Sequence, residues 1–292
     1  MRHDEPALPP RLVQAVIVMS IWAVGAAYEP YVGRWSRAVA HEFLAWLAVP
    51  GGSRWLDVGC GTGALTATIL DVTNPLAVTG IDASEGFAAY AREQIGDERA
   101  EFRQADAQAL PFPDDDFDAS VSGLVLNFLP DPARGLAEMA RVTRPGGVVA
   151  VYVWDYAGEM QLMRHFWDAA AALDPAAVNL DEGRRFPICH PGPLEQHFTE
   201  AGLSDVQVRA IDIPTTFRDF DDYWSPFLGG QGPAPSYTMS LSEAQRVALR
   251  ERVRDGLPIA EDGTIRLMAR AWAASGCATQ DRSASSGPSS NT

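Results

Sequence analysis

One stretch constrains this chain most: Arg54-Trp-Leu-Asp-Val-Gly-Cys-Gly-Thr-Gly-Ala64. Trp55, Leu56 and Val58 read as a short buried strand, Gly59, Gly61 and Gly63 follow at alternate positions, and Thr62 to Leu70 opens a helix. A strand that turns on glycines into a helix lets a ligand approach backbone N–H groups near a helix N-terminus. Gly59-x-Gly61-x-x-Ala64 formally satisfies the dinucleotide fingerprint. Asp57, two positions before the first glycine, opposes that reading, because a carboxylate there repels a pyrophosphate and suits a cation.

The rest of the chain keeps the strand–helix rhythm. Trp35, Val39, Phe43 and Trp46/Leu47 recur at helical spacing until Pro50-Gly51-Gly52 stops them. Leu76 to Ile81 reads as a second strand ending at Asp82, with Ser84 as N-cap of the helix from Glu85 to Gln94. Glu101 to Ala105 is the third strand, followed by Asp106; Phe117 to Leu126 is the fourth, followed by Asn127. Asp131 caps a helix with Pro132 at its first position, Pro145-Gly146-Gly147 ends it, and Val148 to Trp154 is apolar enough to be covered on both faces. This alternation predicts a doubly wound parallel sheet in the α/β class. Asp57, Asp82, Asp106 and Asn127 then gather at one edge, where such sheets bind ligands.

Beyond Asp155 the pattern changes. Met160, Met163, Trp167 and Ala170 mark an amphipathic helix, a Pro- and Gly-rich connection runs from Asp174 to Pro193, and Leu194 to Ala201 is helical again. Val206, Val208 and Ala210 predict a half-exposed strand, Ser240-x-x-Glu243 a capping box, and Ile265 to Ala271 a last strand. Phe217, Phe220, Tyr223, Trp224 and Phe227 form either a lid over an apolar substrate or packing under the insertion. Residues 280–292 are a Ser/Gly/Pro tail expected to be disordered.

Composition removes several chemistries. All 23 basic residues are arginine, so Schiff-base and P-loop-lysine mechanisms are excluded. A net charge of −15 argues against nucleic acid or an anionic membrane surface as partner. Cys60, Cys189 and Cys277 are far apart with no C-x-x-C, which suits a reducing cytoplasm and gives neither a disulfide framework nor a zinc site. Asp114-Asp115-Asp116 reads as a solvated loop, so no metal is expected. Leu12 to Ala27 is an apolar run of 16 residues behind an acidic leader, read as an N-terminal extension or a packed helix, with translation from Met19 as one explanation and a signal peptide as the minority alternative.

Taken together, Leu56-Asp-Val-Gly-Cys-Gly-Thr-Gly63, Gly80-Ile-Asp82, Asp106-Ala107, Leu110-Pro-Phe-Pro-Asp114 with Phe117-Asp118, and Arg144-Pro-Gly-Gly147 resemble the class I S-adenosylmethionine (SAM)-dependent methyltransferases, nearest the ubiquinone/menaquinone C-methyltransferase group. The resemblance implies a seven-stranded Rossmann-like sheet of order 3-2-1-4-5-7-6 with its last strand antiparallel. It also implies a domain over residues 28–276, with a SAM-binding core over 52–155 and a substrate-covering insertion over about 156–200 and 214–262. Asp57 would hold the SAM ammonium; Gly59, Cys60, Gly61 and Gly63 would face methionine and ribose. Asp82 with Ala83 would take the ribose hydroxyls, Asp106 and Ala107 would bracket the adenine, and Asn127 and Phe128 would lie beside the reacting methyl. Candidate substrate contacts are Tyr28, Tyr31, Arg34, Trp35, Trp154, Tyr223 and Trp224, and His165 is the candidate general base.

The leading expectation is thus methyl transfer from SAM to a small, largely apolar molecule. A nicotinamide-dependent oxidoreductase and a non-catalytic SAM-binding protein are the competing classes; Asp57 and the missing lysine oppose the first, and the intact ligand edge opposes the second.

Overall fold

The computed structural model describes residues 34–229 and 232–280. The apolar run at Leu12–Ala27, Met19, Tyr28, Tyr31 and the tail beyond residue 280 lie outside the described residues. No helix among the described residues is long and apolar enough to cross a membrane.

Seven strands form one sheet in the order β3-β2-β1-β4-β5-β7-β6. They are β1 (Arg54–Val58), β2 (Ala77–Asp82), β3 (Ala100–Gln104), β4 (Phe117–Gly123), β5 (Thr143–Trp154), β6 (Ser204–Phe217) and β7 (Ile265–Cys277). The first five pair in parallel, and β7 runs antiparallel to both neighbours, β5 and β6. This is the order the resemblance implies.

Between the strands run α1 (Arg34–Leu47) before β1, α2 (Ala64–Val72), α3 (Glu85–Gln94) and α4 (Pro132–Val142). After β5 come α5 (Gln161–Leu173), the single turn α6 (Glu182–Arg185) and α7 (Pro191–Glu200); α8 (Phe220–Trp224), α9 (Pro233–Ser240) and α10 (Glu243–Gly256) fill the gap between β6 and β7. The helix starts follow the local chemistry. Ser84 accepts from the Phe87 N–H at 3.4 Å, and Asp131 accepts from the Arg134 N–H with Pro132 in the first turn. Val39, Ala40, Phe43 and Leu44 of α1 are buried, and Phe43 meets Tyr152 edge-on at 4.8 Å, which seats α1 on the sheet beside β5.

Three local readings change. The capping box belongs to Ser242 and Gln245, because Ser240 is still the last residue of α9 and donates back to the Tyr237 carbonyl. Strand β4 stops at Gly123, since Leu124 takes a left-handed φ of 63° and turns the chain into a 3₁₀ turn at Leu126–Phe128. Strand β5 starts at Thr143, so Pro145-Gly146-Gly147 lies in the strand rather than in a linker.

The aromatic stretch after β6 is core. Phe217, Tyr223 and Phe227 are fully buried, Phe166 of α5 stacks on Phe227 at 4.4 Å, and Tyr223 donates to the Leu162 carbonyl at 2.7 Å. Those contacts bolt the insertion to α5, and neither Tyr223 nor Trp224 lines the cavity at the C-terminal ends of the strands.

Candidate functional site

The C-terminal ends of β1, β2, β4 and β5 open on a cavity of about 620 Å³, within the range of small-molecule sites. Its lining includes Asp57, Gly59, Cys60 and Gly61, then Asp82 and Ala83, then Asp106 and Ala107. The opposite end is aromatic, with Phe128, Tyr152, Trp154 and Tyr156, and Ser36 of α1.

The glycine turn is built inward. Gly59, Gly61 and Gly63 take φ of 76°, 52° and 88°, which side chains other than glycine's rarely adopt. The Gly59 and Cys60 N–H groups both donate to the Ile81 carbonyl at 2.8 Å, and the Gly61 N–H donates to Asp82 Oδ2 at 3.0 Å. These three donors are therefore consumed by the protein and do not form an anion cradle. Gly59 is needed for a different reason: a Cβ there would stand 2.6 Å from Val125 Cγ1. Gly63 does not line the cavity. The space its Cβ would take is filled by Ile95 Cδ1 at 2.5 Å, so this glycine serves the packing of α3 against the turn.

Asp57 is completely buried. Its Oδ2 accepts from Thr66 Oγ1 at 2.7 Å, and the backbone of Thr66, in the first turn of α2, also bonds to the carboxylate. The helix N-terminus thus already faces an internal anion. Oδ1 is buried without a partner, and burial pushes the carboxyl up to about 7. An orphaned acidic oxygen on a cavity wall fits an ammonium and opposes a phosphate. The residues present therefore suit the cationic end of SAM and not the pyrophosphate of a dinucleotide.

Asp82, at the end of β2, ties the turn to α3: Oδ1 accepts from the Ser84 N–H at 2.8 Å and Oδ2 from Gly61. Burial raises its carboxyl as well. Each oxygen keeps a lone pair, so two neighbouring hydroxyls still find acceptors. Asp106 is exposed and accepts from the Gln108 N–H at 2.8 Å; Gln108 in turn accepts from the Asp131 N–H, which fixes this rim to the start of α4. Cys60 presents a thiol raised by burial, an apolar wall rather than a thiolate.

Other expected residues sit elsewhere. Asn127 is buried in the 3₁₀ turn and does not line the cavity; Leu124, Val125 and Phe128 line it instead. Trp35 does not line the cavity but packs edge-on against Phe217 at 5.7 Å. Of Arg34 the structure describes only the backbone, as the first residue of α1. His165 is half-buried on α5, outside the cavity lining, with its imidazole lowered mainly by burial. Asp114 pairs with Arg141 at 2.7 Å, and among the described residues no cluster of His, Cys, Asp or Glu is placed to hold a metal.

Tyr152 and Tyr156 were not anticipated. The alternation Tyr152, Trp154, Tyr156 at the end of β5 was the available signal, since successive second residues share a face. Phe186, in the connection after α6, packs on Phe128 at 5.1 Å and on Tyr156 at 5.9 Å and so backs this wall. Its segment is held by the Arg164–Asp181 ion pair and by Trp167 Nε1, which donates to the buried Glu182.

A family model described as "Methyltransferase domain" matches residues 56–151. The chain is 37% identical over 134 residues to a phosphatidylethanolamine N-methyltransferase of Cereibacter sphaeroides, across 44% of this chain and 63% of that one. It is 33% identical over 185 residues to a demethylmenaquinone methyltransferase of Roseiflexus castenholzii, across 58% of this chain and 76% of the relative. Two further methyltransferase relatives are spanned over 57% and 52% of their own length. Among solved structures, phosphoethanolamine N-methyltransferase 2 of Haemonchus contortus, in complex with phosphomonomethylethanolamine and S-adenosylhomocysteine, gives a TM-score of 0.59 at 16% identity, over 94% of this chain and 62% of that chain. At that identity the likeness is one of fold alone.

Proposed function

Because the chain belongs to the class I SAM-dependent methyltransferases, we propose that it transfers the methyl group of SAM to a small, largely apolar acceptor. The observation that carries this reading is Asp57 Oδ1, buried and unpaired beside a glycine turn whose Gly59, Cys60 and Gly61 N–H groups are already used. In this reading Asp57 holds the ammonium, Asp82 the ribose hydroxyls, and Asp106 with Ala107 the adenine edge. SAM supplies a methyl carbon activated by positive sulfur, which leaves as a neutral thioether when the acceptor's electron pair takes the carbon in line.

Such chemistry asks the chain mainly to orient two molecules and exclude water. Orientation alone can supply about 7–11 kcal/mol of a barrier. No covalent nucleophile or metal is needed, and the aromatic end at Phe128, Tyr152, Trp154 and Tyr156 would receive the acceptor. The relatives' names point to two acceptor chemistries, ethanolamine lipids and quinones. A cytoplasmic location goes with this reading, given that Cys60, Cys189 and Cys277 are all free.

Calorimetry with SAM, S-adenosylhomocysteine and NAD tests the proposal, followed by a metabolite screen with methyl-labelled SAM. Binding of both sulfur ligands and label transfer to an extractable small molecule are expected. Binding of NAD alone would overturn it.

A further inference from the structure

Two side-chain ties join α6 and the residue before it to α5. Arg164 pairs with Asp181, its Nη1 donating to Oδ2 at 2.9 Å, and Trp167 Nε1 donates to Glu182 Oε2. The indole is itself held in place, edge-on to Phe166 at 5.0 Å and tilted against Tyr237 at 5.9 Å. Glu182 is 3% exposed, and taking a carboxyl group out of water carries a cost that an apolar residue would avoid. It does not line the cavity, and methyl transfer gives it no part.

What α6 holds is the aromatic wall. Gly183 lies so close to the turn after β5 that a Cβ there would stand 2.8 Å from Ala157 Cα and 3.0 Å from the Tyr156 carbonyl oxygen. The Glu182 carbonyl accepts the Phe186 N–H at 2.9 Å, and Phe186 rests on Phe128 and Tyr156, which both line the cavity. A single helical turn has too few hydrogen bonds to stand alone, so its place depends on the ties to α5.

We propose that α6 is a clamp on the aromatic end of the cavity and that Glu182 is its positioning residue: the neutral carboxyl stays inside and seats Phe186 on Phe128 and Tyr156, whereas the carboxylate draws α6 toward water and loosens that wall. Burial pushes Glu182 up to about 7; Asp181 adds to the rise, and the Glu182 backbone N–H, Trp167 and Arg164 oppose it. The other charged groups around it are engaged elsewhere. Asp155 accepts from the Gly158 and Glu159 N–H groups, Glu159 from Gln161, and Asp174 from Tyr237; His165 couples to Asp168, and Arg185 lies over the Phe186 ring. A group raised in the folded state keeps the clamp closed below about pH 7 and releases it above. That the wall receives a methyl acceptor rests on the methyltransferase reading; the clamp itself does not.

The test uses the whole chain and needs no substrate. Hydrogen exchange, normalised to intrinsic rates, follows the amides of Arg184, Arg185, Phe186 and Cys189, each bonded to a carbonyl within the segment. A 4-fluorophenylalanine in place of Phe186 reports the contacts of that ring by ¹⁹F resonance. Protection should be level on the acid side and fall toward tenfold per pH unit above about pH 7, with the fluorine resonance moving through the same midpoint. Glu182→Gln keeps an acceptor for Trp167 but cannot titrate, and should hold both readouts level. Trp167→Phe removes a donor that favours the carboxylate and should move the midpoint to higher pH, which decides the matter should Glu182→Gln not fold. Readouts that stay level in the wild-type chain, a pH response that survives in Glu182→Gln, or a midpoint that falls in Trp167→Phe overturns the proposal. Failure to bind S-adenosylhomocysteine is a separate result: it removes the methyltransferase reading, whereas failure of the exchange pattern removes the clamp and leaves that reading standing.

Discussion

Thr66 Oγ1 donates to Asp57 Oδ2 at 2.7 Å across the glycine turn, while Asp57 Oδ1 stays buried without a hydrogen-bond partner. The turn is organised around a buried carboxylate rather than around free N–H groups.

The first consequence is a pH dependence of SAM binding. Burial pushes Asp57 up to about 7, so below that pH it is protonated in the empty protein and must lose its proton to pair with an ammonium. Affinity should rise with pH up to about 7, with a slope approaching tenfold per pH unit on the acid side. Calorimetry at pH 6 in two buffers of different ionisation heat should show close to one proton released. Asp57→Asn should bind more weakly and show no such release.

A second consequence concerns the stability of the empty protein. Asp57 and Glu182 are both buried and both raised to about 7, from 3.8 and 4.5. In the window between those values the folded chain binds protons that the unfolded chain does not. Their contribution is fully present below about pH 4 and is lost as pH rises through 7. The carboxyls that are lowered (Asp97, Glu101, Asp118, Glu138, Asp212 and Asp262) act with the opposite sign, but only at the acid end below their ordinary values. Denaturant midpoints should therefore fall between pH 5.5 and 8, and Asp57→Asn with Glu182→Gln should flatten that fall. A midpoint that rises over the interval would refute the assignment.

The glycines separate binding from folding. Gly63→Ala meets Ile95 Cδ1 at 2.5 Å and a φ of 88°, so its effect belongs to stability, about 1–3 kcal/mol, and Ile95→Ala in the same chain should recover part of it. Gly61 has nothing within 4 Å of its Cβ position and lines the cavity. Gly61→Ala should lose only about 1–2 kcal/mol of stability to its left-handed backbone, while SAM binding suffers from the methyl group in the cavity. Melting curves and calorimetry on the two variants distinguish these roles.

Those glycines also mark where sequence reading ends. The Asp57–Gly63 turn is legible because strand, acid and glycines are contiguous, and the caps at Ser84 and Asp131 are legible because a cap and its N–H are three residues apart. Sheet order came with the family resemblance, not from periodicity. What the sequence could not carry is non-local. The Ile81 carbonyl that takes two loop N–H groups, the Ile95 methyl against Gly63 and the left-handed turn at Leu124 all depend on how distant segments close. The cluster of Phe217, Tyr223 and Phe227 was equally compatible with a lid, and only its contacts with α5 assign it to the core.

Asp82 tests the ribose end. It accepts two backbone N–H groups at 2.8 and 3.0 Å and keeps lone pairs for hydroxyls. Asp82→Ala should weaken SAM binding by about 1.5–3 kcal/mol, the range for hydrogen bonds to a charged group. Unchanged affinity by calorimetry would show that the carboxylate only ties Gly61 to Ser84.

The last expectation concerns proton transfer. His165 is the one histidine that sequence reading put forward as a base, yet it stands on α5 outside the cavity lining, half-buried, with its imidazole lowered mainly by burial and partly restored by Asp168. A general base within hydrogen-bond reach of its proton contributes on the order of 10²–10⁴-fold. A residue that cannot reach the acceptor contributes none of this. His165→Ala should therefore leave SAM affinity unchanged and lower turnover by no more than about threefold, well below that range, and EDTA should leave activity intact. Single-turnover rates with labelled SAM separate chemistry from release. A drop of a hundredfold or more in the chemical step, with SAM binding preserved, would make His165 the base and end the account in which orientation alone carries the reaction.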